Sequence, residues 1–94
     1  MIKRIVKMEF LEENCDDFVE FSGEIKEAIS NFEGCKELKI LRDTKQRTIF
    51  FTCSVWESEE YLNKYRESDF FNNVWPKAKK WFSAKPLAWS TEIL

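Results

Sequence analysis

The run Thr48 to Trp56, TIFFTCSVW, constrains the fold more than any other stretch of this chain. Written as a strand, it puts Ile49, Phe51, Cys53 and Val55 on one face and Phe50, Thr52, Ser54 and Trp56 on the other, because successive side chains point to opposite sides. Both faces carry bulk, so the strand belongs in the middle of a covered sheet. Trp56-Glu57-Ser58 follows at once, and Ser58 is a good N-cap for a helix from Glu59 with Leu62 and Tyr65 on its inner face. Strand and helix meet at a short corner, which brings Trp56, Tyr61, Tyr65, Phe70, Phe71 and Trp75 near one rim of the core.

The flanking sequence supplies partners for that strand. Ile2 to Phe10 alternates, with Ile2, Val6, Met8 and Phe10 on one side and Lys3, Ile5, Lys7 and Glu9 on the other, and reads as a first strand. Asn14 or Asp16 is placed to cap a helix in which Phe18, Phe21, Ile25, Ala28, Ile29 and Phe32 recur at steps of three and four. Gly34 stands where the chain leaves that helix in a left-handed conformation, and Gly23 inside it suggests a close packing point. Cys35 to Arg42 is a second strand, joined to the central one through the polar hairpin loop Asp43 to Arg47. Ser68-Asp69 offers a fresh cap, and Pro76 should divide the second helical region and begin a short helix from Pro76 to Phe82. Leu87, Trp89, Thr91 and Ile93 alternate as a fourth strand.

The order β-α-β-β-α-β predicts an α+β, ferredoxin-like fold: an antiparallel four-stranded sheet with both helices on one side. Residues 1–94 form a single domain on this reading, since two glycines and two prolines leave no linker. Such a sheet has a second face without cover, and fifteen aromatic rings are too many to hide in one small subunit. A homodimer through the open sheet face, a ligand pocket, or both should take the surplus.

Other partners fit less well. The formal net charge is −2, with lysines and acids interspersed, which is no footprint for nucleic acid or an anionic membrane. MIKRIVKMEF lacks the apolar run of a signal peptide and nothing approaches a membrane span, so a cytoplasmic location is expected. Cys15, Cys35 and Cys53 are odd in number and widely spaced, as reduced thiols are. Histidine is absent, which removes the commonest metal ligand and the commonest base near neutral pH.

The run Trp56-Glu57-Ser58-Glu59-Glu60, the phenylalanine-rich strand before it and Tyr65-Arg66-Glu67-Ser68-Asp69-Phe70-Phe71 after it resemble the antibiotic biosynthesis monooxygenase family of dimeric α/β-barrel proteins. Asn31-Phe32-Glu33-Gly34-Cys35 carries the same resemblance. It implies a pocket in each subunit between sheet and helices, serving cofactor-free oxidation of polycyclic phenols by O2, quinol oxidation, or oxidative opening of haem. The haem-degrading branch has a tryptophan and a histidine on the segment after the Trp-x-Ser junction and an asparagine on the first strand. Those positions fall on Tyr65, Trp75 and near Val6, so haem degradation is not expected here. No cofactor and no metal are implied.

Cofactor-free oxygenation needs an apolar slot, a group that shares the phenolic proton, and donors for the resulting anion. Tyr65 is the candidate relay and matches a family position; a core tyrosine with its hydroxyl at the surface is the alternative. Arg4, Lys7 and Arg66 are candidate anion stabilisers, and Glu9 and Asp69 candidate bases. Trp56, Trp75, Trp81 and Phe82 are candidate walls for a flat substrate, or simply core. Cys53 has no histidine to activate it and reads as an inert thiol, and Lys77, Lys79 and Lys80 as a solvated helix face. Two functions follow: a monooxygenase acting on a quinol or polycyclic phenol, or a non-catalytic ligand-binding or dimerisation module on the same fold.

Overall fold

The alternating segments pair as the central strand requires. In the computed structural model, which describes residues 1–94, the elements run β1 (Ile2–Glu9), a single 3-10 turn (Glu12–Asn14), α1 (Cys15–Ser30), β2 (Cys35–Arg42), β3 (Ile49–Trp56), α2 (Glu59–Arg66), α3 (Asp69–Lys79) and β4 (Leu87–Glu92). The strands form one antiparallel sheet in the order β2-β3-β1-β4, so β3 and β1 are central. This is the ferredoxin-like α+β fold. Within one chain the sheet is not closed into a barrel, and β2 and β4 are its edges.

Register decides which residues share a face. Ile2 lies opposite Trp56, Arg4 opposite Ser54, Val6 opposite Thr52 and Met8 opposite Phe50. These eight side chains therefore point to one side, and it is this side that the helices cover. Met8, Phe10, Phe18, Ile25, Trp56 and Leu62 are the largest fully buried residues. Phe10 stacks on Phe18 with ring centroids 4.3 Å apart, and Phe50 meets both edge-on.

The corners follow from local chemistry. Gly34 has φ of 86°, and a Cβ there would collide with the Tyr61 ring, so glycine is required both by backbone and by space. Its carbonyl accepts the Glu57 N–H at 2.8 Å, which ties the exit of α1 to the corner between β3 and α2. Asn14 is the N-cap residue of α1 but its side chain donates to Asp17 at 2.9 Å instead of capping the backbone. Ser58 likewise precedes α2 without a side-chain cap bond. Ser68 does cap: its Oγ accepts from Phe71 N at 3.1 Å and donates to Tyr65 O at 2.6 Å, closing α2 and opening α3 with one hydroxyl.

Two further expectations need correction. Pro76 does not start a helix of its own; it lies inside α3, which runs unbroken to Lys79. Phe71, Trp75 and Ala78 share a face of that helix, and burying it outweighs the one lost donor. The carbonyl left unpaired by the proline, that of Asn72, belongs to an exposed residue where water can bind it. Trp81 to Ser83 are accordingly not helical. They pair with the end of β1, Leu11 N donating to Trp81 O at 2.8 Å and Ser83 N to Glu9 O at 2.9 Å. Gly23, expected at a close packing point, is exposed, and an added Cβ would meet nothing within 4 Å. No helix is long and apolar enough to cross a membrane, and Cys15, Cys35 and Cys53 are free thiols.

Candidate functional site

Thr52 and Ser54 are small residues between Phe50 and Trp56 on the covered face of β3. Where the strand narrows, the helices cannot close onto it. A cavity of about 170 Å3 fills the gap, floored by Val6, Met8, Thr52 and Ser54 and walled by Leu62, Tyr65, Phe71, Trp75 and Phe82. Arg4, Arg66 and Lys79 contribute its charged groups, and no carboxylate lines it.

Tyr65 sits on the inner face of α2 and is 6% exposed. Its ring stacks on Trp56 at 5.1 Å and 23°, and Phe32 and Phe71 meet it edge-on. Its hydroxyl oxygen accepts the indole N–H of Trp75 at 3.0 Å. Burial pushes the phenol up to about 12, the Trp75 bond opposes this, and nearby Cys35 adds to it. Tyr65 is therefore neutral at pH 7, with its own proton bonded to no protein acceptor.

Arg4 reaches the cavity from β1 and Arg66 from the end of α2. The Arg4 guanidinium donates to Ser90 Oγ on β4 at 2.9 Å, which fixes it across two strands. Its pKa is lowered first by burial and second by the charge of Arg66. A guanidinium keeps its proton regardless, so two like charges stand near one another at the site.

The residues singled out in the sequence divide by location. Tyr65, Trp75, Phe82, Arg4 and Arg66 line the cavity together. Trp56 lies behind Tyr65, fully buried, donating to Ser54 Oγ at 2.8 Å. Trp81 packs edge-on against Phe21 at 5.8 Å, outside the lining. Lys7, Glu9 and Cys53 are on the opposite sheet face, as their partners Phe51, Ile49 and Ile5 show, and Asp69 is exposed at the start of α3. Lys77, Lys79 and Lys80 are exposed, as a solvated helix face requires, and Lys79, four residues after Trp75, also borders the cavity. Thr52 and Ser54 were legible too, as two hydroxyls alternating within an otherwise apolar strand.

Comparison with known proteins agrees with this architecture. The sequence profile of the antibiotic biosynthesis monooxygenase family matches residues 1–75. A solved antibiotic biosynthesis monooxygenase superposes with a TM-score of 0.93 at 16% identity, covering 100% of this chain and 99% of the other. A conserved protein from Methanosarcina mazei Go1 gives 0.91 at 18% identity, covering 96% and 89%. A Nitrosomonas europaea protein, provisionally given the family's name, gives 0.93 at 15% identity, covering 100% and 99%. At these identities the structures share the fold. None of the curated proteins matches the sequence.

Proposed function

This chain belongs to the antibiotic biosynthesis monooxygenase family, and from that premise we propose that it is a cofactor-independent monooxygenase acting on a single-ring quinol in the cavity beneath α2 and α3. The observation that carries this reading is the buried Tyr65 hydroxyl on the cavity wall, with a free proton and with Arg4 and Arg66 on the same cavity. Size selects the substrate. A void of about 170 Å3 is close to the ~150 Å3 that accepts one benzene ring, so a single-ring quinol fills it. A tetrapyrrole is larger, and Val6 and Trp75 line the cavity without offering iron a ligand.

In this mechanism the quinol binds flat against the aromatic wall and releases one phenolic proton to solvent, its anion held by the guanidinium charges. The anion passes one electron to O2, and the radical pair closes a carbon–oxygen bond on a ring carbon. As the O–O bond breaks, the outer oxygen leaves as water with one proton from Tyr65 and one returned by solvent, while the ring carbon gives up its hydrogen to become a carbonyl and that proton restores Tyr65. Quinol plus O2 gives hydroxyquinone plus water, so the substrate supplies all four electrons. Tyr65 acts as a donor and relay; its raised pKa makes it no base at neutral pH.

Oxygen uptake with hydroquinones, in the presence of a chelator, tests the reading. Wild type should consume O2 above the autoxidation rate, and Tyr65→Phe should lower kcat on the order of 100-fold. Uptake that never exceeds autoxidation would reject catalysis. The second reading, a ligand-binding module, is favoured by one observation, the lack of any carboxylate base on the cavity; binding of a quinol without turnover would select it.

The homodimer belongs to the same proposal. On the uncovered face, Leu41, Phe51, Lys7 and Leu87 form one row and Lys39, Cys53, Ile5 and Trp89 the next. Burying this apolar centre against a second copy would contribute ~25 cal/mol per Å2.

A further inference from the structure

The cavity's charge is one-sided in a way the rest of the surface is not. The chain has 17 acidic and 15 basic residues, and its ion pairs, Lys36–Glu57, Lys39–Glu37 and Lys64–Glu60, all lie away from the cavity. Arg4, Arg66 and Lys79 line it with no acid among the other lining residues. Arg4 is half-buried and anchored by a neutral partner, Ser90 Oγ. Arg66, exposed at the end of α2, is close enough to bear on it electrostatically, so two like charges stand beside an apolar void.

We propose that the ligand is an aromatic carboxylate, its ring in the apolar part of the cavity and its carboxylate held between Arg4 and Arg66 with Lys79 adding long-range charge. A guanidinium binds a carboxylate through two parallel N–H bonds, and an anion placed there is attracted by both like charges. A ring plus one carboxylate also matches the volume. The inference rests on the reading of this cavity as the substrate site and adds the charge of the substrate to it. Joined to the reaction above, the substrate class is a carboxylated hydroquinone, and the product a carboxylated hydroxyquinone plus water.

The first experiment uses probes that cannot be turned over. Benzoate, benzyl alcohol and benzylammonium are titrated into the full chain at low salt, read by calorimetry and by tryptophan fluorescence. Benzoate should bind at least on the order of ten-fold more tightly than benzyl alcohol, with benzylammonium weakest. Arg66→Gln, at an exposed helical position, should reduce benzoate affinity by about the same ten-fold and leave benzyl alcohol unchanged; Lys64→Gln, on the same helix but ion-paired to Glu60, should change neither. Equal binding of benzoate and benzyl alcohol, an Arg66→Gln effect common to both, or no binding of benzoate overturns the proposal.

Oxygen uptake with 2,5-dihydroxybenzoate and its methyl ester separates the two readings. Tight binding of the acid without oxygen consumption rejects the monooxygenase and keeps the carboxylate site. Equal turnover of acid and ester rejects the carboxylate site and keeps the monooxygenase.

Discussion

On its helix side β3 presents Phe50, Thr52, Ser54 and Trp56, all buried; on its other side Phe51, Cys53 and Val55 are only half-covered. Around the second set stand Leu41, Leu87 and Trp89, 47%, 49% and 47% exposed. On β3 alone the covered side is the one with two hydroxyls and a void, and the uncovered side is the more uniformly apolar. β1 reverses this, with Ile2, Val6, Met8 and Phe10 on the covered side and Lys3, Lys7 and Glu9 on the other, so the hydrophobicity of β1, not of β3, assigns the faces. The helices cover the side where Phe10, Phe18 and Phe50 interlock, and leave a hollow where Thr52 and Ser54 are too small to fill it. On the proposed reading, one face supplies a binding site and the other an association surface.

Changes on each face should separate these roles. The largest effect is expected from Trp56→Ala, which empties a fully buried site and removes the Tyr65 stacking partner. It should destabilise by ~3–5 kcal/mol, seen as a lower urea midpoint; a loss within error would mean the covered face is not the core. Next comes Phe51→Glu on the uncovered face, between Leu41 and Lys7. Light scattering should show wild type as a dimer and this variant as a monomer that keeps its far-UV spectrum. A dimer that survives the charge would move the interface elsewhere.

A smaller effect is expected from pH. The folded-state pKa of Tyr65, about 12, lies above the ordinary phenol value of 10, so the native chain retains this proton longer than the unfolded one. The stability it contributes is complete below ~pH 10 and disappears as pH rises through about 12. Urea midpoints across that window should fall in wild type and fall less in Tyr65→Phe; parallel slopes would count against a buried, protonated Tyr65. The smallest effect is a gain. Gly23→Ala, on the solvent side of α1, adds a methyl group to open space, and should stabilise by ~0.5–1 kcal/mol through helix propensity and chain entropy, readable as a slightly raised Tm.

Much of the fold was legible because it is encoded locally. The alternation of β1 to β4, the helical recurrence of Phe18, Ile25 and Ile29, the left-handed Gly34 and the Ser68 cap each depend on a few neighbouring residues. Pro76 misled because its local preference, a helix start, was overridden by the buried face of Phe71, Trp75 and Ala78. The site was legible only in fragments. Tyr65 and Trp75 could be singled out, but Trp56 and Trp81 read as equal candidates to Phe82 and only Phe82 lines the cavity. Helical spacing shows which residues share a stripe; it carries no depth.

The sequence by itself determined the order of elements, the membership of each strand face and the family, because these follow from periodicity, turn chemistry and motif. Tertiary structure decided which face of β3 the helices cover, that Thr52 and Ser54 leave a cavity there, and that Arg4 and Arg66 line it together without a carboxylate. Those facts depend on strand register and on helix packing between segments at opposite ends of the chain. No local pattern encodes the distance between two side chains that only the fold brings together.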